Sequence, residues 1–255
     1  SVWGILITSS YQFYISRFFG AEVFAEFSNG FMEIPIITMI ISASGAALLP
    51  VFSKMFHEKK NINLFLDLWR RSLFKSASLI YPIVMFFIFN SELIIKILFS
   101  EKYINSSIFF LIAMSVNFFN IVLFAPLLLS LGKTKLYSDI HMYIAISAWL
   151  LGYLCVITFN SPIAIAILVT FLTILKLIIF FIYSSKILET TILKMIPLKQ
   201  ISIYFIHSFL VISITKYLIL SSFTDLNSFI YILLSLFIFC SLLSLTSNYI
   251  KVDYL

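Results

Sequence analysis

The sequence predicts an all-α membrane protein with about eight transmembrane helices, and three observations predict it. The chain of 255 residues is 62% hydrophobic and only 11% charged, with a mean hydropathy of +1.09 and 29 Phe. That apolar content lies well beyond a soluble domain. Charge-free runs recur at bilayer length: between Glu33 and Lys54 stand twenty uncharged residues, which as an α-helix reach about 30 Å, the hydrocarbon thickness. Basic residues gather in the short segments between such runs. The formal charge of +6 therefore reports orientation rather than a nucleic-acid partner.

Taken in order, the apolar runs place spans at residues 2–19, 25–52, 72–89, 106–131, 136–159, 161–183, 200–220 and 226–249. The fifth and sixth share one uncharged run over 140–175, too long for a single crossing, and Asn160-Ser161-Pro162 supplies the turn. The second span opens beside Glu33 and Pro35, where the proline removes a backbone hydrogen bond and permits a bend. Its centre carries Ser42-Ala43-Ser44-Gly45-Ala46-Ala47, small residues that let a neighbouring backbone approach. Residues 2–19 lack the basic start and small-residue cleavage site of a signal peptide.

Eight spans make the loops alternate sides. One side then holds Lys54, Lys59, Lys60, Arg70, Arg71, Lys75, Lys133, Lys135, Lys186, Lys194, Lys199 and Lys251, and the other Arg17, Lys96, Lys102 and Lys216. Twelve against four assigns the first side, with both termini, to the cytoplasm. Two segments are too short or too charged to cross. NINLFLDLWRR over 61–71 aligns Ile62, Phe65, Leu66 and Trp69 on one helical face, as an interfacial helix does. NSELIIKILFSEKY over 90–103 is expected at the outer surface.

Little here points to bond chemistry. Cys155 and Cys240 both fall within apolar runs, and His141 and His207 lie near span ends without metal-ligand spacing, where interfacial hydrogen bonding is expected. No nucleophile and base, metal cluster or cofactor motif stands out. The expectation is a protein that is not an enzyme, with no catalytic residue, no metal and no cofactor.

The succession FFGAEVFAEFSNGFMEIPI, a small-residue helix ending LLPVFSK, then ELIIKILFSEKY and PLLLSLGKTK resembles the second half of a polysaccharide or O-antigen flippase of the multidrug/oligosaccharidyl-lipid/polysaccharide superfamily. The resemblance implies two six-helix lobes facing each other, often followed by two further helices. Six plus two matches the eight spans, giving a second lobe over residues 1–185 and two C-terminal helices over 186–255, with a missing N-terminal lobe as partner. It also implies a multi-pass protein of the bacterial inner membrane that flips a polyprenyl-pyrophosphate-linked oligosaccharide for surface polysaccharide, among membrane lipids.

In that family the first two helices of each lobe line the central cavity, which makes the polar residues of those spans the candidates. On the first span Ser10, Tyr14 and Arg17 form one stripe, with Gln12 on the adjoining one beside Ser9 and Ser16; such faces belong on water or headgroups. Glu33 could pair with Arg17, serve a coupling cation or touch outer headgroups. Lys176, inside TFLTILKLIIFFIYSSK, either faces a cavity or snorkels to the cytoplasmic interface. Two other functions fit the class. A multidrug or cation antiporter of the same superfamily needs a cluster of intramembrane carboxylates, and Glu33 is the one acid near a span interior. A membrane polymerase or transferase needs polar groups on a sizeable external loop, and the longest external segment, 90–105, has neither Arg nor His.

Overall fold

Runs of Leu, Ile and Phe punctuated by Gly, Pro and Asn leave the backbone one way to satisfy its polar groups in a bilayer, by hydrogen-bonding within helices. A computed structural model describes residues 2–58, 62–121, 124–222 and 227–250, and these fold into eleven α-helices with no strand among them. Lys59, Lys60, Asn61 and Lys251, used above for topology and for the 61–71 helix, lie outside the described residues.

Helix α1 (Val2–Gly30) is two arms joined at Gly20, whose φ of 85° and ψ of 176° leave helical space. A side chain at this φ would be strained, so glycine is what permits the turn. The arms fold against each other: the Tyr11 ring lies 5.6 Å from Phe27 and 5.7 Å from Phe31. Sixteen residues of straight helix would separate Tyr11 from Phe27 by about 24 Å. The chain then leaves the helix at Phe31, and α2 (Pro35–His57) begins with Pro35 in its first turn. The second span thus starts about ten residues later than expected, and Pro35 opens a helix rather than bending one, because a proline needs no acceptor at that position.

Helix α3 (Ile62–Phe89) runs unbroken through the segment expected to lie on the membrane surface. Phe65, Leu66 and Trp69 are buried in the main core, with the Phe65 ring 4.6 Å from Phe52 of α2 and the Trp69 ring 5.6 Å from Phe124. The interfacial expectation fails because the same apolar stripe serves a lipid boundary or a neighbouring helix, and here aromatic rings from other helices cover it. Beyond α3, the short α4 (Ser91–Phe99) is too brief to cross, and Lys96 pairs with Glu101 at 2.8 Å. That ammonium holds the Glu101 carboxyl below the usual carboxylate range, chiefly by its hydrogen bond.

The fourth span is interrupted. Helix α5 (Ser106–Ser115) ends in a single tight turn, Val116–Phe118, and helix resumes as α6 (Phe124–Ser130). A left-handed Gly132 closes α6, with Lys133 N–H donating to Leu128 O at 2.8 Å and Gly132 N–H to Leu129 O at 3.0 Å. This paired cap satisfies carbonyls that the helix end would leave open.

Helices α7 (Thr134–Phe159) and α8 (Pro162–Ile187) meet at the turn expected from sequence. Asn160 is left-handed, Ser161 caps α8 by accepting from Ala164 N–H, and Pro162 follows. After the single turn α9 (Ile192–Met195), α10 (Leu198–Ser222) lies along α3 through the ring pairs Phe74–Tyr204 and Tyr81–Phe205, and α11 (Ser228–Ile250) packs on α10 and α4. Among the described residues six helices, α2, α3, α7, α8, α10 and α11, are long and apolar enough to cross a membrane. The first arm of α1 is polar and the α5–α6 span is broken, so neither is a long apolar rod, although both occupy the places of expected spans. His141 and His207 are both buried. His141 Nδ1–H donates to Tyr137 O at 2.9 Å, and His207 Nε2 lies 2.7 Å from Thr246 Oγ1.

Candidate functional site

Polar residues from four parts of the chain line one half-enclosed cavity of about 360 Å³. The first arm of α1 contributes Thr8 and Tyr11, the turn before α2 contributes Glu33, the interruption of the fourth span contributes Asn117 and Asn120, and α8 contributes Thr170, Thr173 and Lys176. Each arrives for a local reason. Glu33 sits in the non-helical stretch between α1 and α2, and Asn117 and Asn120 sit where α5 gives out. Thr170, Thr173 and Lys176 are spaced three apart on one face of α8.

Lys176 stands fourteen residues beyond Pro162 and eleven before Ile187, about 21 Å and 16 Å along the axis. Its half-buried ammonium has no hydrogen-bond or ion-pair partner among the described residues. Glu33 also lines the chamber, is exposed, and is likewise unpaired among the described residues. Opposite charges therefore line one cavity without forming a salt bridge. The Glu33 carboxylate acts electrostatically on Tyr11, which stands one turn from Thr8 on the same face of α1. Lys176 lies within electrostatic reach of His141 on α7. Thr170 is 8% exposed, and its Oγ1 is fully buried with no partner.

The structure brings Glu33 and Lys176 together and disperses the other four candidates. Ser10 is buried and donates to Ile7 O at 2.7 Å, within its own helix. Tyr14 is buried against α7, donating to Trp149 O at 2.7 Å. Gln12 is exposed on α1 beside a separate hollow that also includes Gly4, Thr8 and Ser9, and Arg17 is exposed near the Gly20 turn. Sequence reasoning missed Tyr11, Asn117, Asn120 and Thr170. The two asparagines, three apart in the otherwise apolar SVNFFNIVLF, were the signal available.

Fold and cavity together define an all-α, multi-pass membrane protein with a polar chamber inside its helical bundle. Residues 1–108 match the family described as "Polysaccharide biosynthesis protein". No curated protein matches the chain in sequence. Among solved structures the chain is similar to "Lipid II flippase MurJ, inward closed conformation", with a TM-score of 0.55 and 19% identity over 95% of this chain. It spans 48% of that structure's length. At this identity the likeness is one of fold. The family match agrees with the polysaccharide-biosynthesis side of the resemblance read from the sequence, and the structural likeness agrees with its fold.

Proposed function

We propose that this chain is one lobe of a flippase that carries a polyprenyl-pyrophosphate-linked oligosaccharide from the inner to the outer leaflet of a bacterial inner membrane, for O-antigen or capsule biosynthesis. In this reading residues 1–185 form the six-helix lobe, residues 186–255 add two helices, and both termini are cytoplasmic. The observation that carries it is the chamber holding unpaired Lys176 and Glu33 among hydroxyls and amides. Ionisable groups at membrane depth are costly and face a partner or an aqueous path.

The task is transport without bond making. A hydrated wall shields the glycan and its phosphates while the lipid tail stays in hydrocarbon. A second lobe completes the path, and rocking of one lobe against the other opens it to each side in turn. An inside-negative potential favours outward movement of the anionic headgroup by about 2.3 kcal/mol per charge per 100 mV, in proportion to the field crossed. A drug or cation antiporter is less favoured, because Glu33 is the single carboxylate among the cavity's lining residues.

The test is complementation. Residues 1–255 alone should fail to restore surface polysaccharide to a flippase-deficient strain, and co-expression with the matching six-helix N-terminal lobe should restore part of it. Restoration by this chain alone would overturn the single-lobe reading in favour of two identical lobes facing each other.

A further inference from the structure

The chamber's donors and acceptors are mixed, and the mixture narrows what it holds. Lys176 offers only donors and Glu33 only acceptors, while Asn117, Asn120, Thr170 and Tyr11 offer both. Several are unused by the protein. Thr170 Oγ1 is buried and unpartnered. The Asn120 side chain has no partner among the described residues, and Asn117 Nδ2 reaches only the Met114 sulfur at 3.8 Å. A bare metal cation asks for acceptors and is repelled by Lys176. A phosphate asks for donors and is repelled by Glu33. A polyhydroxylated ring carries a donor and an acceptor on each hydroxyl, and so meets both kinds of group at once.

Size and shape agree. About 360 Å³ falls at the small end of small-molecule sites, which run from roughly 300 to 1,000 Å³, so the chamber takes one ring rather than a whole oligosaccharide. Tyr11 and Phe31, 5.7 Å apart and inclined by 50°, both line it and offer an apolar flank for the C–H face of such a ring. We infer that this chamber, beside the path proposed above and resting on that reading, binds a single uncharged sugar residue of the transported glycan, with Asn117 and Asn120 hydrogen-bonding its hydroxyls.

The test is saturation-transfer NMR on the purified 255-residue chain in a detergent without a sugar headgroup. Glucose, N-acetylglucosamine and glucuronate are the probes, with inorganic phosphate and sodium chloride as competitors. Transfer to a neutral sugar is expected, and it should fall about fivefold in Asn117→Leu and in Asn120→Leu, the loss of roughly one hydrogen bond. The melting midpoints of both variants should stay at or above that of the parent, which separates lost binding from lost fold. No transfer to either neutral sugar, transfer indifferent to both substitutions, or transfer abolished by phosphate or sodium would overturn the inference. Because binding is read without transport, failure here leaves the complementation result standing, and a failed complementation leaves this result standing.

Discussion

Tyr14 and Trp149, 135 residues apart, are joined by a hydrogen bond of 2.7 Å from the Tyr14 hydroxyl to the Trp149 carbonyl, and this bond helps lock the first arm of α1 against α7. The Tyr14 ring fills the space beside Gly152, where an added Cβ would come within 2.6 Å of it. Tyr14→Phe should therefore destabilise the protein by about 1 kcal/mol. Gly152→Ala should cost more, roughly 1–3 kcal/mol, by forcing a ring out of a packed seam. Thermal melts in detergent would measure both, and a Gly152→Ala protein as stable as the parent would contradict the seam.

Gly30 marks a second close approach. A Cβ there would lie 2.4 Å from the Ser106 carbonyl oxygen and 2.6 Å from Phe109 Cβ, both on or beside the backbone of α5. Little can move aside, so Gly30→Ala should lower stability by about 1–3 kcal/mol, and Gly30→Val should sharply reduce the folded yield in membranes.

Thr170→Val should act in the opposite direction. Valine keeps the shape and removes a buried hydroxyl that nothing in the protein satisfies, so a gain of about 1 kcal/mol in melting experiments is expected. A clear loss would mean that the hydroxyl is satisfied within the fold.

Topology is open to labelling from outside. In a background without Cys155 and Cys240, a cysteine at Asn105 should react with an impermeant reagent and one at Lys133 should not. The reverse pattern would overturn the orientation drawn from the basic residues.

Lys176 separates charge from bulk. In a two-lobed protein, Lys176→Ala should cut glycan export at unchanged membrane abundance, whereas Lys176→Arg, which keeps charge and reach, should be milder. Undiminished export by the alanine variant would remove Lys176 from the path.

The sequence showed the class of fold more clearly than its seams. The Asn160-Ser161-Pro162 turn was legible because its three residues each favour one step of a helix reversal. The fold-back at Gly20 was not, since a lone glycine between FF and AE carries no mark of the conformation it adopts. Tyr14 and Ser10 read as a wet stripe because a hydroxyl looks the same whether it meets water or, as here, a backbone carbonyl of its own or another helix. Phe65 and Trp69 read as a membrane-surface face because an apolar stripe does not say what covers it. Glu33 and Lys176, 143 positions apart, each stood out as an ionisable group beside hydrocarbon; only the packing of α1, α2 and α8 shows that they share one chamber.

The interruption between α5 and α6 gives the bundle uneven stiffness. A membrane helix resists bending because each bend strains its ladder of backbone hydrogen bonds. Helix α3 continues for 28 residues, with one gap in its ladder at Pro82. Where α5 ends the chain makes a single tight turn over Val116–Phe118 and is out of helix at Asn120 before α6 begins at Phe124, so each half of the fourth span is a much shorter rod than α3. Breathing of the chamber on this side would first register as hydrogen exchange at 119–121.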